Sequence, residues 1–543
     1  MRKRIDRARL DSAANYTNYG TSSICSARSN SFVNALDDYQ NEKDNTTYTL
    51  NGAYAYKSTH SGSVDLGNLV DLFGTIGALR SRSAEEIEES FAKAFREDKL
   101  LAMKMSFYAR NVRSGLGERR TPRIIWRYVA SNYPEIMKKN LALVPVFGRW
   151  DDLYCFVGTP IEKDMWGFIR TQLGKDAEGV VNNQPISLLA KWLKSVNTSS
   201  EESRSLGKLT AKNLGMDERT YRRILSTLRN YIDVTEIKMS RNNFSQIKYE
   251  SVPSKAMSIY RNAFMKKDGK RFYEYIEDLK KGEAKINAAT LYPYDILEKY
   301  GLGMSYRSYR SLKLGEYDEV LEQQWKALPN YISDKLSGAN VLIMCDTSAS
   351  MTGRPLATSV GLSIYFAERN RGVFNNKFMT FSHDPKFVTI KGDSLKDMVE
   401  SFPIIVDDTN IQAAFELILD VAVENRIPAK DMPKALVIIS DMEFNQATYN
   451  KGSFYNGEYV NVNYHNIFKD MYEEAGYEMP TIVYWNVNSR HNVFHAYANE
   501  HGVMMASGSS PSVFQNIVAN IGKTPYEAMM DVLGDEVYSE VRV

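Results

Sequence analysis

Asp346, Ser348 and Ser350 place three hard oxygen donors at alternate positions directly after Val341–Cys345, an unbroken apolar run of strand length. Two hydroxyls and one carboxylate, completed by water, suit a small divalent ion that takes six oxygens in a tight octahedron and dehydrates reluctantly. The spacing predicts an open site for Mg2+ or Mn2+ at the carboxyl end of a buried strand. Ser, Thr and Asp are also the usual residues of turns and helix caps, so the triplet alone is equally a local cap. Two later segments add weight to the metal reading. Thr409 stands before the helical pattern Ile411, Phe415, Ile418, Leu419 and Ala422, and a second apolar run, Ala435–Ser440, ends on Asp441. In an open parallel sheet the carboxyl ends of such strands lie side by side, and ligands bind in the crevice outside them.

Elements that alternate strand and helix must position those oxygens. Apolar runs predict strands near 340–345, 376–382, 386–390, 435–440, 481–486 and 502–506, with helices near 355–369, 394–401, 410–425, 464–475 and 511–521. The Tyr-, Asn- and Gly-rich stretch Asn445–Asn463 follows Asp441 and is expected to form a loop beside the metal face, where it would set specificity.

Asp346, Ser348, Ser350, Thr409 and Asp441 together resemble the metal-ion-dependent adhesion site (MIDAS) of von Willebrand factor A domains. The resemblance implies a Rossmann-like fold for residues 336–543. It also implies that all five residues hold the ion, with one coordination position left for a carboxylate from a protein partner.

Upstream, residues 61–335 read as helices. Short amphipathic segments such as 84–95, 100–112, 123–132, 165–173, 221–232 and 272–279 follow one another without strands, which suggests an α-solenoid or HEAT-like helical-repeat domain. Residues 1–60 are rich in Asn, Ser, Thr and Tyr with little apolar periodicity, and predict a flexible polar arm. Arginines concentrate in the helical half. Arg110, Arg113, Arg119, Arg120 and Arg123 surround a Gly115/Gly117 turn, and Arg222 and Arg223 belong to a second basic stretch. Guanidinium groups at turns can fork onto phosphate, and Tyr108, Trp126, Tyr128 and Tyr221 stand near enough in sequence to stack on unpaired bases. The alternative is a solvated face whose Arg stems cover apolar helix surface.

The Phe107–Arg119 passage and the Gly148–Leu153 segment resemble the helical half of Ro autoantigen-like (TROVE-type) proteins. Leu291–Ile296, Met442–Phe444 and Tyr484–Asn486 resemble a Ro-like family of unknown function that carries a C-terminal von Willebrand factor A domain. That resemblance implies a ring of repeats binding structured, misfolded or single-stranded RNA. The competing expectation is a metal-dependent interaction or assembly scaffold without RNA.

A net charge of +2 over 543 residues argues against a uniformly basic coat. Cys25, Cys155 and Cys345 are too far apart in sequence to suggest a disulfide framework, and no run reaches membrane-spanning length, so a cytoplasmic protein that avoids membranes is expected. His491 and His495 have i, i+4 spacing but no acidic residue between them, and Gly522-Lys523-Thr524 lacks the earlier glycine of a phosphate loop. No nucleophile elbow accompanies them, so no catalytic activity is expected.

Overall fold

The computed structural model describes residues 40, 44–60, 66–303, 314–332, 340–371, 373–407, 409–444 and 464–543. The Asn445–Asn463 loop and the basic start of the chain lie outside these residues. Two compact units form, and they do not follow chain order. One takes its residues from 1–81, 297–314 and 330–531, the other from 82–296, 315–329 and 532–543.

In the first unit six strands form a mixed sheet in the order β5-β4-β3-β6-β7-β8. They are β3 (Val341–Asp346), β4 (Lys377–Phe381), β5 (Phe387–Thr389), β6 (Ala435–Ser440), β7 (Thr481–Asn486) and β8 (Val503–Ser507). Every residue of β3, β6 and β8 is buried, as expected for parallel strands covered on both faces. Only β5 runs antiparallel, because the short Ser382–Lys386 link cannot cross over the sheet. Helices Arg354–Arg369 and Ile411–Asn425 connect the strands. The apolar runs thus locate the strands to within two residues.

This unit also holds a segment from far upstream. A two-stranded hairpin, β1 (Thr46–Tyr48) and β2 (Tyr54–Tyr56), falls where the sequence suggests a polar arm. Its physical cause is legible: strand-forming Thr and Tyr residues flank Asn51-Gly52, a turn pair that tolerates positive φ, and Gly52 has φ 87°. Tyr56 then bridges to Phe494. Helix Gly67–Thr75 packs on β8, where Gly77 approaches the Gly508 backbone so closely that a Cβ would meet it at 2.7 Å.

The second unit is helical. Ser83 and Glu86 form a capping box for Ala84–Glu97, Asp98 caps Lys99–Arg110, and Asp217 caps Glu218–Tyr231. The last residues of the chain complete this unit rather than the sheet: Tyr538 stacks on Phe147 with centroids 5.5 Å apart. Its hydroxyl accepts from Asn111 Nδ2 at 3.2 Å. The chain is therefore a helical region followed by an α/β region with a six-stranded mixed sheet. Among the described residues no helix is long and apolar enough to cross a membrane.

Candidate functional site

Parallel pairing of β3 with β6 sets Cys345 opposite Ile439, so Asp346 and Asp441 emerge at neighbouring strand ends. Both are 1% exposed. Asp346 has each oxygen engaged. Its Oδ1 accepts from the Ser348 backbone N–H at 2.8 Å, which turns the chain out of β3, and its Oδ2 accepts from Ser440 Oγ. The turn brings Ser348 Oγ to 3.1 Å from Ser350 Oγ, and Ser350 Oγ donates to Asp441 Oδ1 at 3.1 Å.

Those separations test the fit to an ion. Ligands about 2.1 Å from Mg2+ in an octahedron lie roughly 3.0 Å from their neighbours. Three oxygens from two loops are thus already spaced like adjacent ligands. Asp441 Oδ2 is buried and accepts no hydrogen bond among the described residues, an expensive arrangement unless something positive faces it. Burial first, and the Asp441 charge second, push the Asp346 carboxyl above its usual range. Burial also raises Asp441, against the Arg490 guanidinium and the Ser350 hydroxyl, which favour the charged form. Two carboxylates crowded in one dry place call for a counter-cation.

Thr409 is buried in the loop that precedes helix Ile411–Asn425. Asn410 caps that helix by accepting from Ala413 N at 3.1 Å, so the Thr409 hydroxyl is not the cap. Its loop is tied to the β3 end through Thr347, whose Oγ1 donates to Ile405 O at 2.8 Å and accepts from Ile405 N at 3.0 Å. The structure links Asp346, Ser348, Ser350 and Asp441 into one polar cluster and ties Ile405, four positions before Thr409, to the same loop after β3. Among the described residues no group of three or more His, Cys, Asp or Glu side chains gathers for a metal.

Several contributors escape sequence reasoning. Arg490, just past β7, lies with Nε 3.7 Å from Asp441 Oδ2, and its Nη2 donates to the Ser350 carbonyl. The β1–β2 hairpin grips the segment leaving Asp441: Leu50 N donates to Glu443 Oε2 at 2.8 Å, and Thr49 Oγ1 donates to Phe444 O. Only the Asn51-Gly52 turn signals the hairpin in the sequence; its partner lies more than 390 positions away. His491 and His495 share no helix. His495 instead packs its ring 4.4 Å from Phe444 and 5.4 Å from Tyr484, and its Nε2 donates to Met442 O at 2.9 Å.

The arginines divide into two groups. Arg110 is 2% exposed, and its Nε donates to Asp152 Oδ2 at 2.7 Å. Arg123 pairs with Asp151 and Asp152 and Arg149 with Asp151, so a buried acidic pair consumes part of the basic cluster. Arg113 and Arg120 are exposed and donate to the backbone carbonyls of Val146 and Arg82; Arg119, Arg222 and Arg223 are exposed as well. Trp126, Tyr108 and Tyr221 are core residues, Trp126 Nε1 donating to Ser106 Oγ and Tyr221 OH to Lys194 O, so they offer no face to a base.

Residues 340–536 match the family model of a domain of unknown function, DUF7788, and residues 168–337 match that of another domain of unknown function, DUF2828. The chain is 26% identical over 545 residues to "Uncharacterized protein L728" of Acanthamoeba polyphaga mimivirus, across 92% of this chain and 89% of that protein. These matches correct the family suggested by the short motifs. Neither of these two family models nor the viral relative is described as of Ro type or as a von Willebrand factor A domain. The motifs mislead for a physical reason: polar residues after a buried parallel strand are what any open α/β sheet presents at its ligand edge.

Proposed function

We propose that the chain is a binding protein whose α/β region holds a divalent cation, Mg2+ or Mn2+, at the carboxyl ends of β3 and β6, and through it docks the carboxylate of a protein partner. The observation that carries this reading is the run of oxygens from Ser348 Oγ through Ser350 Oγ to Asp441 Oδ1 at 3.1 Å intervals, ending beside a buried oxygen without a donor. Asp346 shapes the loop through both of its oxygens, and Thr409 supplies a further hydroxyl from the next loop. A bound ion would neutralise the paired carboxylates and polarise an incoming carboxylate; the chain's own residues orient it. Calorimetric titration of the full chain with Mg2+ and Mn2+ tests the reading. Saturable heat that vanishes in Asp441→Asn supports it, and no heat at millimolar ion removes it.

A second reading, RNA binding by the helical region, keeps support from one observation: Arg113, Arg119, Arg120, Arg222 and Arg223 are exposed. In this reading the short helices form an irregular HEAT-like repeat array whose surface arginines contact phosphate. Absorbance of the purified protein at the nucleic-acid maximum, before and after nuclease, decides between a protein-docking scaffold and one that also carries RNA.

A further inference from the structure

We propose that Arg490 is the resident counter-cation of the Ser348–Ser350–Asp441 site, and that a divalent ion enters by displacing its guanidinium. The inference rests on the cation reading above and adds the residue that sets the site's affinity. Arg490 Nε lies 3.7 Å from Asp441 Oδ2, close enough to be an ion pair and too far to be a hydrogen bond. That is the oxygen left without a donor. The charge is present and the lone pairs remain unshared, which is how an oxygen waiting for a closer cation would be held.

The second contact fixes the side chain over the same loop. Arg490 Nη2 donates to the carbonyl of Ser350, whose hydroxyl is one of the candidate ligands. A guanidinium and a divalent ion at one carboxylate repel strongly where water is scarce, so the two compete. The backbone here need not move. Ser489 N donates to Ala78 O and Asn488 N to Asn486 Oδ1, each at 3.0 Å, so the loop is pinned while the Arg490 side chain, 34% exposed, has solvent to swing into.

The test is Mg2+ titration of the full chain carrying Arg490→Gln, with Arg490→Lys as the charge-retaining control. Loss of the competing charge is expected to tighten Mg2+ binding by about tenfold in the Gln variant, with the Lys variant near wild type. Wild-type binding that is unchanged or weakened by Arg490→Gln overturns the inference and leaves the cation site standing. Binding absent from wild type and Gln variant alike, with both folded by circular dichroism, overturns the inference and the cation reading together. If the Gln variant does not fold, the side-chain 1H–15Nε signal of Arg490 in the wild type replaces it. A shift on Mg2+ addition supports displacement, and a fixed signal at saturating Mg2+ refutes it.

Discussion

Ser350 Oγ donates to Asp441 Oδ1 at 3.1 Å although 91 positions separate the two residues. The bond exists because β3 and β6 are paired in parallel and both stop at the same level, so a polar residue just past either strand enters one shared crevice. Nothing in the apolar core requires it.

Ser350→Ala is therefore expected to leave the fold intact and weaken Mg2+ binding by roughly 10- to 100-fold, the usual cost of losing one member of an ordered ligand set. Asp441→Asn should remove binding altogether. Calorimetry and thermal melting on the same preparations check this; wild-type heats in both variants would sink the site.

Arg110 and Asp152 form a pair that belongs to stability. Both are buried, and Gly148 beside them has no room for a side chain, since a Cβ there would lie 2.3 Å from Asp152 Oδ2. Arg110→Ala leaves the buried Asp152 carboxylate with Arg123 as its remaining guanidinium partner and is expected to cost about 1–3 kcal/mol in chemical denaturation. RNA affinity, if measured on folded protein, should not change.

The exposed arginines carry the opposite expectation. Reversing Arg113, Arg119 and Arg120 to Glu should leave stability nearly unchanged and flatten the salt dependence of RNA binding. Each lost phosphate contact lowers the slope of log affinity on log salt by about 0.7 for a single strand. No binding of single-stranded RNA by wild type at low salt would leave the protein-docking reading alone.

How much of this is legible in sequence depends on the range of the contact. β3, β6, β7 and β8 are readable because strands buried on both faces are apolar along most of their length, and Asp346 and Asp441 are readable because they stand where two of those runs end. The pairing of Arg110 and Arg123 with Asp151 and Asp152 is not, since a cluster of charge along the chain looks the same whether it faces water or an acid some 30 to 40 positions away. Helix Gly67–Thr75 has a clear apolar face; periodicity says that the face is covered but not that β8 covers it. Arg490 carries no local pattern at all.

His495 gives a pH prediction. Burial between Phe444 and Tyr484, opposed by its bond to Met442 O, lowers the imidazole from 6.5 to about 4. An unfolded chain takes up the proton below about 6.5 while the folded chain refuses it until about 4. The contribution of this residue to stability is thus fully present above the upper value and is lost as pH falls through that window. The ring-proton signal of His495, assigned with a His495→Gln variant, should stay at its neutral position at pH 5; a midpoint near 6.5 would contradict the buried packing.

The composition of the sheet unit predicts which fragments fold. Residues 340–531 contain all six strands and the candidate site, yet the unit also takes in the hairpin and helix Gly67–Thr75. Tyr56, Leu69, Val70, Leu72, Phe73 and Ile76 are all buried. At about 1.5–3 kcal/mol for each buried side chain, removing them forfeits roughly 10 kcal/mol, comparable with the whole stability of a domain. The β8 face would then be exposed as an apolar patch, with Met505 and Gly508 uncovered. A 340–531 fragment is expected to aggregate or to lose its sharp thermal transition. Joining residues 44–81 to it through a flexible Gly/Ser linker should restore cooperative melting and Mg2+ heat. A 340–531 fragment that is monodisperse and melts cooperatively by itself would show that the upstream segment decorates the sheet and does not complete its core.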